Sequence, residues 1–198
     1  MSDMRGRFRT QIRDEVKSAA LRQLAAGGAQ ALSINAIAKE LGVSGPALYR
    51  YFAGRDELLT ELILDAYQDL RAALSGAGSF VDAYRAWALA QPHRYRLLFA
   101  APLPGYDAHA DRLVAAAQEL MNLLIPTLSP GPAPPPALSA ALSAWAARRG
   151  IPDVDPAVAL RAVELWSRVH GLVSLEIEGN FAAMGLDPGP LYSFQPRE

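Results

Sequence analysis

The chain of 198 residues contains no cysteine, which removes disulfides, thiolate metal sites and cysteine nucleophiles together. Histidine is scarce, and His93, His109 and His170 stand far apart, so no metal site is expected. No apolar run reaches the roughly 18 residues that a membrane span needs. The opening MSDMRGRFRTQIRDE carries basic residues without an apolar stretch, which argues against a secretory leader. A cytoplasmic protein without a membrane partner is the expectation. Alternation with period two is missing, as is any repeat of fixed period, so strands are not expected. Nucleophile-elbow, phosphate-loop and metal-ligand spacings are also missing, and EIE at 176–178 sets its two carboxylates on different helix faces. These absences exclude an obvious enzyme and leave no reason to expect a cofactor.

What is present is apolar and helical. Hydrophobic residues make up 51% of the chain, enough to fill a core. The net charge is only −1, but it is unevenly spread: residues 1–55 hold nine Arg or Lys against four Asp or Glu, and the remainder reverses the sign. The two parts therefore have different partners.

Apolar residues recur at helical spacing over Thr10–Ala26, and the Gly27–Gly28 pair ends that segment. Ser33 caps a short helix carrying Ile34, Ile37, Ala38 and Leu41. Gly42 permits a turn, and Ser44 caps a second short helix reaching Phe52. Ala36 and Ala47 occupy the third position after each serine, so neither cap is reciprocal. A long helix over Asp56–Leu74 follows, broken by SGAGS at 75–79. Further helices are expected over Phe80–Gln91, Pro92–Ala100 and Asp107–Ile125. PTLSPGPAPPP at 126–136 reads as an extended connector. Helices over Leu138–Arg149 and Ala157–Glu178 come next, the latter capped by Asp155, and a short one over Pro188–Phe194 closes the chain. The fold class is all-α: a three-helix N-terminal helix-turn-helix domain over 1–55, a connecting helix over 56–74, and a helical bundle over 75–198.

The segment SGPALYRYF at 44–52 carries the chemistry. A nine-residue helix is about 14 Å long and fits across a major groove of about 12 Å. Leu48 and Phe52 lie four apart and face inward onto Ile37 and Leu41, which turns Gly45, Pro46, Tyr49 and Arg50 outward. A tyrosine hydroxyl donates to phosphate, an arginine reaches phosphate or a guanine edge, and Arg55 is placed as a second phosphate clamp. The plainer reading is a packing helix with half-buried tyrosines, since short helix pairs around a glycine are common.

The stretch AALRQLAAGGAQALSINAIAKELGVSGPALYRYFAGRDELL resembles the N-terminal DNA-binding domain of the tetracycline-repressor (TetR) family. The resemblance implies DNA contacts from Ser33 and Ser44 at the two caps and backbone contacts from Tyr49 and Tyr51. Arg55 stands where the family usually has lysine. Gly45 stands where many members carry a polar or basic side chain, so base readout from that position is missing. AYRAWALAQPHRYRLLFAAPLPGY and LWSRVHGLVSLEIEGNF are similar to the regulatory domain of a TetR subgroup named for its Trp, His and Gly, here Trp166, His170 and Gly171. That similarity implies an all-helical, homodimeric, effector-binding domain.

The residues themselves agree. The helix around Trp166 is apolar over most of its circumference, with one polar stripe of Arg161, Glu164 and Arg168, and a partner subunit is an economical cover. Trp166, Val169, Gly171 and Val173 are the candidate dimer interface; a monomer's central core helix is the alternative. Tyr84, Trp87, Phe99, Met121, Trp145, Trp166 and His170 are the candidates to line a pocket for a small apolar or aromatic effector, with His170 as polar handle. His93 reads as solvated. The expectation is a ligand-responsive repressor binding a palindromic DNA operator as a homodimer. The alternative is a helical ligand-binding or interaction protein with a degenerate helix-turn-helix.

Overall fold

Helix formation starts well before the apolar periodicity does. The computed structural model describes residues 2–99, 106–107 and 111–194, and α1 runs over Ser2–Gly27 although residues 6–11 are all exposed. Arginine, methionine and glutamine are good helix formers, and Gln11 adds a 3.0 Å bond to Glu15 one turn on, so the helix extends beyond its packed part. Gly28, at φ 67°, ends it where a side chain would be strained. The remaining elements are α2 (Ile34–Glu40), α3 (Gly45–Leu48), α4 (Arg55–Leu74), α5 (Phe80–Ala90), α6 (Pro92–Phe99), α7 (Asp111–Leu124), α8 (Pro136–Arg148), α9 (Pro156–Ile177), α10 (Asn180–Ala183) and α11 (Gly189–Ser193). No strand occurs among the described residues. The expected end of one helix at Ala100, the first residues after Asp107, and His109 lie outside them.

Two compact units divide the chain. The first comprises residues 1–69 and 91–114. Its core gathers Val16, Ala20 and Leu24 of α1, Ile37 of α2, Leu48, Phe52, and Leu58 and Leu62 of α4. Each fully buried aliphatic or phenyl side chain contributes about 1.5–3 kcal/mol. This division differs from the one expected at residue 75: α6 packs with α1 and belongs with the first unit. Phe99 goes with it, its ring 5.1 Å from Tyr95, and is therefore not in the unit that holds the other effector candidates. His93, expected to be solvated, is half-buried, and burial beside Arg94 lowers its pKa.

The second unit comprises residues 70–90 and 115–198. Asp155 caps α9 by accepting the Ala157 N–H at 2.8 Å, with Pro156 at the first helical position, as its sequence predicts. Ala162, Val169 and Val173 form the buried stripe of α9, and the helix packs with α5 and α8. Val169 and Val173 are 2% and 0% exposed within their own chain. This corrects their expected place at a dimer interface: a helix apolar over most of its circumference does not reveal which side its own subunit covers. The proline-rich connector is less irregular than expected, since a 3-10 turn spans Ile125–Thr127 and Pro136 opens α8. The four-residue α10 is too short to show a period and was not expected.

Candidate nucleic-acid interface and regulatory core

Ser33 fixes the start of α2 as its sequence predicts, its Oγ accepting the Ala36 N–H at 3.3 Å. Gln23 of α1 adds a second tie, accepting the Ser33 N–H at 2.9 Å. Ser44 caps α3 with its backbone alone: its carbonyl accepts the Ala47 N–H at 2.9 Å and its side chain makes no capping bond. The α-helix is shorter than the nine residues expected. After Leu48 the chain tightens, with Arg50 N–H donating to Ala47 and Tyr51 N–H to Leu48 in the i→i−3 pattern.

The inward and outward faces of this segment separate cleanly. Leu48 and Phe52 are each 2% exposed, while Tyr49 is 50% exposed beside exposed Ser44, Pro46 and Arg50. Neither the Tyr49 hydroxyl nor the Arg50 guanidinium is hydrogen-bonded among the described residues. Gly45 is half-buried, and a Cβ there would meet only Asn35 Oδ1 at 3.5 Å, so sterics do not demand glycine. Lys39, exposed in the last turn of α2, was not among the sequence candidates. Its only signal was a lone cation next to the glycine turn.

Tyr51 and Arg55 are turned differently. Tyr51 packs half-buried against the core, and its carbonyl accepts Arg13 Nη1 at 2.6 Å. Arg55 donates from Nε to Leu32 O at 3.1 Å and from Nη2 to Ala29 O at 2.8 Å. Its guanidinium thus holds the turn leading into α2. Arg13 does the same for the exit of α3: its guanidinium lies 4.4 Å over the Phe52 ring and also reaches Glu61 at 3.3 Å. Glu61 further pairs with Arg112 at 3.2 Å and Lys17 at 3.5 Å. Burial alone would raise the Glu61 pKa, but the Arg112 hydrogen bond and the Lys17 and Arg13 charges outweigh it and hold the carboxyl below its ordinary value. An open groove of about 1070 Å³ beside α1, lined by Arg7, Asp14, Glu15 and Arg22 among others, carries both charge signs.

In the second unit the effector candidates fall into two adjoining groups. Trp166 and His170 stack at 5.7 Å, Tyr84 meets Trp166 edge-on at 5.2 Å, and Tyr84 Oη and His170 Nδ1 share a 3.1 Å hydrogen bond. Burial lowers the His170 pKa, so the ring is neutral at physiological pH. Met121, Trp145 and Trp166 pack around Leu124, Ile125 and Ala162. Tyr84 and Trp87 are 0% and 7% exposed. Gly171 is half-buried, and a Cβ added to it would meet nothing within 4 Å of its own chain. The short α11 is tied down where Tyr192 donates to Glu176 at 2.7 Å, Arg85 pairs with the same carboxylate at 2.6 Å, and Arg168 donates to Leu191 O at 2.6 Å.

Two family models match separate parts of the chain, and the second takes in α6, which packs with the first unit. Residues 18–62 match the family model described as bacterial regulatory proteins, tetR family, and residues 78–196 match the tetracyclin repressor-like, C-terminal domain. The HTH-type transcriptional regulator Rv1816 of Mycobacterium tuberculosis (strain ATCC 25618 / H37Rv) is 34% identical over 213 residues, covering 96% of this chain and 91% of its own. The crystal structure of a regulatory protein, SCO4313, superposes with a TM-score of 0.85 at 44% identity, covering 95% of this chain and 94% of its own. The TetR family transcriptional regulator PfmR from Thermus thermophilus shares the fold, with a TM-score of 0.52 at 19% identity and coverage of 81% and 84%.

Proposed function

The chain belongs to the tetR family of bacterial regulatory proteins, and from that premise we propose that this DNA-binding transcriptional regulator is a repressor that releases its operator when a small molecule enters the second unit. The observation that carries the DNA-reading part is the pair of unpaired, outward groups just after α3, Tyr49 Oη and the Arg50 guanidinium, on a segment anchored by Leu48 and Phe52. Tyr49 and Arg50 contact phosphate or base edges; Ser33, Ser44, Gly45 and Pro46 bring the backbone close to the groove. Tyr51 and Arg55 act as positioning residues.

The protein works as a homodimer on a palindrome, because two identical reading heads match a site with twofold symmetry. The open space over Gly171 and the exposed Leu175 one turn later support a partner helix on that side of α9. The effector is small and apolar or aromatic, with Trp166, Met121 and Trp145 as walls and His170 as a hydrogen-bonding handle. Ligand shifts the population between dimers whose reading heads do and do not match the half-site spacing, by no more than its differential affinity for the two. α4 is the covalent lever, since its residues to Asp69 belong to the first unit and those from Leu70 to the second.

Selection of bound sites from random double-stranded DNA tests this reading. A recovered palindrome with half-sites about one helical turn apart is expected. Gly45, which offers no side chain to a base, favours the second reading, a ligand-binding protein with a degenerate helix-turn-helix. Recovery of no common site would establish that one.

A further inference from the structure

Two buried polar side-chain atoms in the described residues have no hydrogen-bond partner, and both lie in the second unit: Asn122 Oδ1, an acceptor, and Arg149 Nε, a donor. Both belong to or reach α7. Arg149, the residue that ends α8, donates from Nη2 to Gln118 O at 3.0 Å, and Asn122 follows Gln118 by four residues on the same face of α7. The Arg149 guanidinium also lies 4.7 Å over the Trp145 ring.

A cation at the end of a helix benefits from the carbonyl dipoles there, and the indole face and the Gln118 carbonyl add to that. None of these is a counter-ion. No carboxylate pairs with Arg149 among the described residues; of the nearby acids, Glu119 pairs with Arg71 at 3.2 Å and Asp155 caps α9. Burial accordingly lowers the Arg149 pKa from its ordinary value. A half-buried guanidinium without an anion and a buried acceptor without a donor are each costly to the folded chain, and a ligand carrying both complements would offset that cost.

We propose that Arg149 and Asn122 bind the polar end of an amphipathic organic acid, its carboxylate on the guanidinium and a hydroxyl or amide N–H next to that carboxylate donating to Asn122 Oδ1. Its apolar body lies along Trp145 and Met121, which pack on the same cluster as Trp166. Hydroxy acids and N-acyl amino acids have this chemistry. The inference rests on the effector-responsive reading above and sharpens it from an apolar effector to an acidic one.

The test uses 3-hydroxydecanoate and 2-hydroxy-3-phenylpropanoate, each beside its primary amide and its deoxy acid, titrated calorimetrically into the full-length protein and into Arg149→Met, Arg149→Lys and Asn122→Leu. Wild type binds at least one hydroxy acid about tenfold or more tighter than its amide. Arg149→Met abolishes that preference, Arg149→Lys retains part of it, and Asn122→Leu erases only the preference for hydroxy over deoxy acid. Because Arg149 is without its anion in the free protein, Arg149→Met melts no lower than wild type. Overturning results are acids that bind no better than amides or not at all, a wild-type acid preference in Arg149→Met, or a lowered melting temperature in that variant. Operator binding in the presence of the same compounds separates the two levels. Acids that bind as described without releasing DNA would overturn the effector reading alone, whereas release by amides and acids alike would overturn the acid site alone.

Discussion

Both units tie charged groups across elements, as Arg13 and Glu61 do in the first and Arg85, Glu176 and Tyr192 in the second, but they differ in what they leave unpaired. In the first, Arg13, Arg55, Lys17, Arg112 and Glu61 are all tied to carbonyls or to each other across α1, α4 and the segments around α2 and α3. In the second, Asn122 Oδ1 and Arg149 Nε are left without partners, and His170 is desolvated beside the Tyr84 hydroxyl. If Tyr49 and Arg50 read DNA as proposed, they must be presented in one fixed geometry, and cross-ties that leave few alternatives serve that end. A responsive unit needs free energy that a ligand can release, and unpaired polar groups store it.

The contrast is broken most severely at the buried anchor of the reading head. Phe52→Ala removes a ring 2% exposed that lies under Arg13, and costs about 3–5 kcal/mol by chemical denaturation, with operator binding lost. Arg55→Ala, by freeing the carbonyls of Leu32 and Ala29, costs about 1.5–3 kcal/mol. If Arg55 only positions the turn, its loss lowers operator affinity without changing the salt slope; a slope reduced by about one unit would restore the phosphate contact to it.

On the other unit, Gly171→Leu enters space that its own chain leaves open. Subunit folding persists while dimerisation weakens by about 1–3 kcal/mol, read by sedimentation; unchanged association would move the interface elsewhere. His170→Phe removes the polar handle and with it effector-induced release, seen by operator binding across an effector titration.

Smaller effects follow from pH, since the groups retain some access to water. Glu61 has a folded pKa below its unfolded one, so its stabilisation is present above the ordinary carboxylate range and is lost as pH falls through the lowered value. His170 is likewise lowered, and its contribution declines as pH falls below the ordinary imidazole value near 6.5. Denaturation midpoints followed from neutral pH downward should therefore fall first with His170 and later with Glu61. Replacement of His170 by Phe should shrink the first decline, leaving the part due to His93, and should not alter the second.

Local spacing made the reading head legible. Ser33 as cap, Leu48 and Phe52 as anchors, and Tyr49 and Arg50 as outward groups all follow from a helical period and a glycine turn. Asp155–Pro156 marked the start of α9 for the same reason. The carbonyl partners of Arg55 were not legible because only tertiary folding brings them near it. Phe99 was misplaced because nothing in an amphipathic segment says that α6 returns to α1. On α9, apolar residues over most of the circumference hid the fact that Val169 and Val173 face their own core. Arg149 gave no signal at all: it sits next to a glycine at a helix end, where a basic residue is ordinary, and only the missing partner sets it apart.

The division of labour rests on the claim that the outward groups just after α3 read DNA. Titration of the selected operator by fluorescence anisotropy, across a range of salt and without effector, tests it directly when wild type is set beside Tyr49→Phe with Arg50→Ala. The account predicts an affinity lower by about 1–3 kcal/mol and a salt slope reduced by about one unit in a variant that folds and associates as wild type does. Equal affinity and equal slope in the two proteins would contradict it.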